Sequence, residues 1–401
     1  MLTTSKSLLL IAMTLLIVET LPAQDKLAKT SAALSVNIWH ERNNSWPSNV
    51  SGVHSASKLF TDNTGNIYYV GTDGYVYNYQ TSVGSVQRLS PSQYALIDPR
   101  GGLAFNNNGK IFAVGNDKKV YNFYLQNNAW QFNLLSGQYA LIDARGGLIV
   151  DAALDKVFCI GTDGKVYNYY WQNNAWQFNL LTPPSALANP NGGMAYDPIL
   201  NKLFVIGNNG KVYNYYYQNN AWVFNLLSTG QYVNADAAGK MIYDRSLDKI
   251  FVIGTNGKVC NLYWNGSSWQ FGILQPSQYA TVNAAGGMAY DGGKIYVIGT
   301  DGKAYNYYYQ NNAWQFHWLV PSPYAQVAAV SGITMRNGKL YVIGTDGKVY
   351  NYYWANNTWN FDWLVSPLTH VARNGSWLVM NSDTNLFYVD GGGRIKEIYY
   401  Q

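Results

Sequence analysis

The sequence predicts an all-β protein made of eight copies of one unit, and three observations support this prediction. The first is a repeated Gly-x-Asp-Gly turn, as at 161–164, which is followed by an aromatic segment at 165–171. The second is composition: Tyr (35), Trp (14) and Gly (38) are abundant and charged residues make up only 12%, which is typical of short strands joined by tight turns. The third is spacing, because close copies start every 44 to 47 residues, at Gly71, Gly115, Gly161, Gly207, Gly254, Gly299 and Gly344, with a degraded eighth copy at 389–394.

Each regular copy contains four strand signals. In the third copy they lie at 147–150, 156–160, 165–171 and 176–181. Asp-Gly or Asn-Gly joins the second strand to the third in most copies, and these are the residues that a tight hairpin with positive φ requires. A unit of this length cannot bury its own faces and has to stack on its neighbours. The sequence therefore predicts an eight-bladed β-propeller of four-stranded antiparallel blades.

The two ends of the chain have distinct expected roles. Residues 1–24 have the pattern of a secretory signal peptide, residues 25–35 form a linker, and residues 36–401 form the propeller. The apolar run is too short to span a bilayer, so no transmembrane segment is expected after signal removal, and the protein is expected to be secreted or periplasmic. Because the eighth copy stops after a third strand, while 43–46 resembles the start of a fourth, the N-terminal segment is expected to close the ring. Residues 36–41 also have the pattern of a third strand, which leaves open whether that blade contains a fifth strand.

The candidate ligand-binding residues lie in the segments that connect successive copies. In a four-stranded meander these segments emerge on the same side as the Asp-Gly turns, and loops carry function more often than strands. An aromatic face beside a carboxylate or amide suits a sugar, which has apolar C–H faces and hydroxyl groups. The alternative is structural: the tyrosine packs under its loop and the polar residue caps a turn. The predicted site residues are Tyr94, Asp98, Tyr139, Asp143, Tyr232, Asp236, Tyr279, Asn283 and Tyr324.

Three further sets of residues repeat. A cation follows almost every turn, as at Lys165, and such a ring either attracts acidic polymers or is simply solvated. In six copies a tryptophan begins the outer strand on the opposite side, as at Trp176, where it either packs or stacks on a ligand. An asparagine lies in the middle of the third strand, as at Asn168, and is expected to find hydrogen-bond partners between blades.

Signals of an enzyme are missing. The four histidines have no metal-ligand spacing, and no nucleophile elbow or phosphate loop is present. The sequence thus predicts a protein without catalytic residues, metal or cofactor. Cys159 and Cys260 lie in different copies, too far apart for a disulfide, and are expected to be buried thiols. A formal net charge of +5 does not indicate a nucleic-acid partner.

The Gly-x-Asp-Gly-x-x-Tyr turn, the blade-length period and the aromatic content resemble the β-propeller lectins, of the tachylectin-like and related bacterial kinds. This resemblance covers about residues 36–401 and implies sugar sites between or on the blades, used multivalently. Residues 157–167 also resemble the repeat of pyrroloquinoline-quinone-type propellers, which include dehydrogenases and a scaffold protein of outer-membrane assembly. The chain departs from them, because Asn-Asn replaces Thr-Gly before the tryptophan and the adjacent cysteine pair of the dehydrogenases is absent.

The predicted function is therefore carbohydrate binding by a secreted propeller with several weak repeated sites. The expected partners are glycans or polysaccharides, acidic ones included. The alternative is a protein-binding scaffold in the periplasm or at the cell surface.

Overall fold

The computed structural model forms eight four-stranded sheets, and its described strand pairings are antiparallel. This confirms the all-β, eight-bladed propeller. The predicted signal peptide and linker lie outside the described residues. The structure describes residues 39–42, 46–62, 64–89, 96–106, 109–135, 140–181, 187–219, 221–227, 234–274, 280–319, 326–364, 372–373, 375, 377–381 and 385–400.

We number the blades 1 to 8 in the order of the repeats and the strands of each blade first to fourth. Blades 1 to 4 contain Phe60–Thr61, Ile67–Val70, Val76–Gln80 and Ser85–Arg88; Leu103–Phe105, Ile111–Val114, Val120–Gln126 and Ala129–Leu134; Leu148–Asp151, Lys156–Ile160, Val166–Gln172 and Ala175–Leu180; and Met194–Asp197, Lys202–Ile206, Val212–Gln218 and Ala221–Leu226. Blades 5 to 7 contain Met241–Asp244, Lys249–Ile253, Val259–Trp264 and Trp269–Ile273; Met288–Asp291, Lys294–Ile298, Ala304–Gln310 and Ala313–Trp318; and Thr334–Arg336, Lys339–Ile343, Val349–Ala355 and Thr358–Trp363. Blade 8 contains Val379–Met380, Asn385–Val389, Ile395–Tyr400 and Trp39–Arg42.

The first strands lie innermost. Those of blades 2 to 8 contact one another in succession, and the first strand of blade 8 also contacts that of blade 1. Short 3₁₀ helices precede the first strands of blades 3 to 7 and contact one another in the same order. These helices are Ala144–Gly146, Pro190–Gly192, Ala237–Gly239, Ala284–Gly286 and Ala329–Ser331.

The repeated turn is a compact hydrogen-bonded unit. In blade 3, the Lys165 amide donates to Oδ1 of Asp163 (3.0 Å), and the Tyr167 hydroxyl donates to Oδ2 (2.7 Å). A Cβ atom on Gly161 would lie 2.4 Å from Asp163 Oδ1 and 2.6 Å from the Tyr167 ring. The Gly-x-Asp-Gly-x-x-Tyr pattern is therefore explained by local sterics and hydrogen bonding, and the same arrangement recurs at Asp73, Asp117, Asp301 and Asp346.

The core lies between blades rather than within them. Tyr169 and Phe178 of blade 3 pack in one cluster with Phe112 and Val114 of blade 2. Both faces of each blade are thus covered by neighbours, which is why the inner strands are apolar on both sides. Cys159 and Cys260 are free and buried in different blades, as expected, and burial raises the pKa of both thiols.

Tyrosine–aspartate hydrogen bonds link successive blades on the side opposite the Asp-Gly turns. The hydroxyl of Tyr196 in blade 4 donates to Asp151 of blade 3 at 2.8 Å, and Tyr243 of blade 5 makes the equivalent bond to Asp197 at 3.0 Å. Both carboxylates are at most 1% exposed. Because an unpaired buried carboxylate is costly, these bonds favour one alignment of neighbouring blades.

The N-terminal strand lies earlier in the chain than the sequence suggested. Trp39–Arg42 is the neighbour of Ile395–Tyr400 in a sheet of four described strands. Trp46, expected to begin that strand, lies outside it and packs near Tyr69 of blade 1 with 6.0 Å between ring centroids. The expectation that Trp46 begins a strand is therefore wrong. Closure of the ring by the N-terminal segment stays a prediction.

Deleting residues 25–42 from the protein that lacks residues 1–24 tests this closure. The deletion is expected to lower the thermal midpoint by about 5 °C or more, because lost backbone hydrogen bonds of about 1 kcal/mol each shift the midpoint of a large domain by roughly 2–4 °C per kcal/mol. Deleting residues 25–35 alone serves as the control and is expected to leave the midpoint unchanged. Equal midpoints for the two deletions, measured by calorimetry, would contradict closure by this strand.

Candidate functional site

The predicted polar site residues cap turns in the connecting segments. Oδ1 of Asp143 accepts from the Arg145 amide at 3.0 Å, and Oδ1 of Asp236 accepts from the Ala238 amide at 2.9 Å, each at the start of a 3₁₀ helix. Asn283 makes the same bond to Ala285, and Asp98 accepts from the Arg100 amide. For one side-chain oxygen of each of these residues, the structure therefore agrees with the structural alternative, in which the polar residue caps a turn. The predicted tyrosines Tyr94, Tyr139, Tyr232, Tyr279 and Tyr324 lie outside the described residues, so the predicted loop site stays a prediction.

Two of these carboxylates are also paired with arginine. The Arg145 guanidinium contacts Asp143 at 2.6 Å, and Arg100 pairs with Asp98 in the same way. The arginine hydrogen bonds hold the pKa of both carboxyls below the ordinary value, although burial opposes this shift. Both oxygens of Asp98 and Asp143 therefore have partners within their own loops.

The turn lysines are partly neutralised. Lys165, Lys303 and Lys348 lie 3.3 to 3.6 Å from the aspartates of their own turns. Lys303 and Lys348 also lie over the rings of Trp318 and Trp363, at 4.2 and 4.7 Å from the centroids. Exposed pairs of this kind contribute little to stability, but they reduce the field that an acidic polymer would meet.

A second repeated feature lies at the opposite ends of the blades, where the third and fourth strands turn. Strand register places an exposed aromatic side chain directly beside a more buried tryptophan on the same face of the blade. In each pair the centroids are 5.4 to 6.0 Å apart and the rings lie at 65° to 74°. The outer ring is 46% to 51% exposed. We call these the aromatic pairs: Trp171–Trp176, Tyr217–Trp222, Trp264–Trp269, Tyr309–Trp314 and Trp354–Trp359.

A lysine from the preceding blade lies over several of these pairs. The Nζ atom of Lys249 in blade 5 lies 5.3 Å from the Tyr309 centroid and 5.7 Å from that of Trp314 in blade 6. Lys156 of blade 3 lies 5.9 Å from both rings of the pair in blade 4, and burial lowers its pKa. Each such junction combines two aromatic faces with a cation.

A cleft with a volume of about 600 Å³ lies between blades 6 and 7. A smaller cavity of about 290 Å³ shares Lys294, Trp354 and Trp359 with this cleft. The Tyr308 hydroxyl and Nε2 of His317 are 3.1 Å apart on one wall. The walls include Lys294, Asn306, Tyr308, His317, Trp354 and Trp359.

Asn306 lies beside this cleft and carries a buried, unpaired acceptor. Its side chain is 2% exposed, and its Oδ1 atom has no hydrogen-bond partner in the described part of the chain. The same holds for Oδ1 of Asn168 and of its other equivalents Asn78, Asn122, Asn214 and Asn351. The expectation that these amides are satisfied between blades is therefore wrong for this atom. A buried unpaired acceptor is unfavourable. Because these oxygens are covered by protein atoms, the cost belongs to the repeated strand itself and not to a contact with a ligand.

Only one member of each aromatic pair, the tryptophan of the fourth strand, was singled out from the sequence. The tryptophans at the start of the fourth strands are evident in the sequence, with packing and ligand stacking as the two alternatives. What was missed is the exposed ring beside five of them and the lysine from the preceding blade. The alignment of 171 with 176 across the turn was the available signal, since paired strands place such residues on one face.

Within the described residues, no group of three His, Cys, Asp or Glu side chains is placed to hold a metal ion. No helix among them has the length and apolar character needed to cross a membrane.

Comparison with protein-family models found no match, and comparison with curated proteins found none either. Solved structures of propellers are similar. The computationally designed Ika8 protein matches with a TM-score of 0.59 and 14% identity, covering 88% of this chain and 99% of its own. The WD40 domain of SCAP from fission yeast gives 0.56 and 12%, covering 90% and 98%. BamB from Moraxella catarrhalis gives 0.54 and 10%, covering 87% and 98%. These similarities show the β-propeller fold alone, and no lectin family was identified.

Proposed function

We propose that this protein is a carbohydrate-binding, lectin-like propeller whose sugar sites are the aromatic pairs at the blade junctions. The single observation that supports this most is the repetition of one arrangement in five successive blades: an exposed ring set at a steep angle to a second, more buried ring. Aromatic side chains provide rigid apolar faces at low entropic cost. The C–H face of a sugar can lie on the exposed ring while its edge contacts the tryptophan.

The polar groups at the junctions complement the hydroxyl groups of a sugar. Lys294, Tyr308 and His317 all line the cleft between blades 6 and 7. A sugar hydroxyl donates and accepts at once, so it suits a mixture of donors and acceptors. The lysines of the junctions also suit acidic sugars.

Repetition makes weak sites effective. Each pair presents a small contact area, which favours weak binding by a single sugar. Linked sites on one rigid ring raise the overall avidity by roughly 10²–10⁴ when the ligand is itself repetitive. The proposal thus concerns glycans or polysaccharides outside the cytoplasm, with no catalytic step and no cofactor. The loop set that includes Asp98, Asp143, Asp236 and Asn283 remains a separate prediction for the opposite side.

A glycan array with the protein lacking residues 1–24, washed at low and at moderate salt, tests the proposal. We expect retention on one class of glycan at both salt concentrations, followed in titration by a stoichiometry above one. Retention that is lost at moderate salt would instead indicate the turn lysines, because exposed charges are screened. A blank array would contradict the proposal and favour the alternative, a protein-binding scaffold, which a partner pull-down would then examine.

A further inference from the structure

One repeat position is a glycine in five blades and a large side chain in the other three. Strand register defines an equivalent residue in each blade, which lies directly before the first strand or one residue further upstream. In five blades it is a glycine with positive φ: Gly102, Gly147, Gly193, Gly287 and Gly332. In blades 1, 5 and 8 it is Lys58, Lys240 and Trp377.

These three exceptional side chains meet. The Nζ atom of Lys58 lies 4.3 Å from the centroid of the Trp377 ring, and that of Lys240 lies 5.7 Å from it. Blades 1 and 5 are four steps apart in a ring of eight, so they are opposite each other. Their lysines can approach one indole only across the axis of the propeller. The position thus faces the axis, where glycine in the other blades leaves room.

The arrangement is costly to the folded chain. Lys240 has φ +56°, a conformation that glycine tolerates and that is unfavourable for a side chain with a Cβ atom. Burial, and then the nearby charge of Lys240, lower the pKa of Lys58 to about 7. In the described part of the chain, neither lysine has a carboxylate within ion-pair distance. Local strain and uncompensated like charges of this kind are typical of binding sites.

We infer that Lys58, Lys240 and Trp377 form an axial binding site for one small ligand that carries an oxyanion on a sugar-like body. A carboxylate, phosphate or sulfate group accepts from both ammonium groups and neutralises their repulsion. The body of the ligand lies on the indole, as in other aromatic contacts with C–H faces. This site is distinct from the aromatic pairs, which are repeated, lie at the outer ends of the blades and are proposed to bind many sugars.

The ring of Trp377 is held in place for this role. A Cβ atom on Gly332 of blade 7 would lie 2.9 Å from the indole, so the glycine permits the ring to lie against the backbone. On the strand side, Leu378 accepts at its carbonyl from the Thr334 hydroxyl at 2.7 Å. The indole ring is therefore held at a fixed position next to the two flexible lysine side chains.

Binding of an anion is expected to be linked to proton uptake. The charged group that acts on Lys58 is Lys240 of blade 5, while blade 8 contributes the uncharged indole. Both burial and Lys240 disfavour the ammonium form and lower the pKa of Lys58. A bound oxyanion favours the ammonium form, so the protein takes up a fraction of a proton when the ligand binds.

Calorimetric titration with glucuronate, with glucose as the neutral match and with inorganic phosphate as the anion alone, tests the inference. We expect glucuronate to bind with a stoichiometry of one and with proton uptake at pH 7.5, shown by titration in buffers of different ionisation enthalpy. Glucose is expected to give no event of this stoichiometry. Phosphate is expected to compete with glucuronate.

Lys240→Gly is the most informative variant, because it installs the residue found in five other blades. It is expected to weaken glucuronate binding at least tenfold while raising the thermal midpoint of the free protein. Lys58→Met is expected to weaken binding to a similar degree and to abolish proton uptake. Lys211→Ala, which removes a turn lysine, is the control and is expected to bind as the parent does.

Parent-like glucuronate binding by both Lys240→Gly and Lys58→Met would overturn the inference, and so would the absence of any binding by the parent protein. The aromatic pairs are tested separately by glycan retention, so either proposal can fail while the other stands.

Discussion

Replacing Trp171, Trp264 and Trp354 together with alanine is expected to reduce retention on a glycan-coated surface by roughly 10²-fold or more. Each substitution removes one exposed ring, and with it about 0.5–1.5 kcal/mol of aromatic contact at that site. The losses multiply on a surface because fewer sites can bind at once. Surface plasmon resonance of the parent and the variant on one immobilised glycan measures the effect.

The chain supplies a matched control for this variant. Trp318 and Trp363 are also exposed, at 42% and 54%, but they lie at the other ends of their blades. Replacing both with alanine is expected to leave retention within about threefold of the parent, because neither belongs to an aromatic pair. The single variant Trp354→Ala is expected to lower the titrated stoichiometry by one. Equal losses for both sets of tryptophans would show that the aromatic pairs are not the sites.

Gly161→Ala is expected to lower the free energy of unfolding by about 2–4 kcal/mol. The new methyl group would lie 2.4 Å from Asp163 Oδ1 and 2.6 Å from the Tyr167 ring, so the turn has to shift. The Tyr167–Asp163 hydrogen bond is then weakened, and the ring is displaced from the cluster between blades 2 and 3. Thermal unfolding followed by far-ultraviolet circular dichroism measures the change.

Gly391→Ala is the control, since no atom lies within 4 Å of the position of its Cβ atom. It is expected to change the midpoint by less than about 1 °C, as an unconstrained surface substitution does. If Gly161→Ala were equally neutral, the explanation of the repeated turn motif would be wrong. Asp163→Ala would then be expected to be neutral as well, because the same contacts are involved.

Much of the fold could be predicted because its determinants are local. Asp163, Gly164 and Tyr167 lie within one turn, and their mutual contacts do not depend on the rest of the chain. The copies at Gly115 and Gly207 repeat the same local rules, so the number of blades follows from counting. Prediction was weaker at Trp46, which follows a sequence resembling a turn but packs against residues of blades 1 and 8 and does not begin a strand.

The candidate site was harder to predict, since periodicity shows which residues repeat but not which side chains touch. The connecting segments contain Asp143 and Asp236, whose turn-capping bonds are equally local. The pairing of Trp171 with Trp176 depends on strand register. The approach of Lys156 to Tyr217 depends on the packing of one blade against the next.

The sequence by itself determined the repeat, the turns and the blade architecture, because each is set by interactions among residues close in the chain. Only the tertiary structure decided that Lys58, Lys240 and Trp377 share one place on the axis. Their blades are remote in sequence, and in each of the three a large side chain replaces the glycine that the other five blades have at this position. Closing eight units around a common axis turns equivalent positions into neighbours, which no local rule specifies.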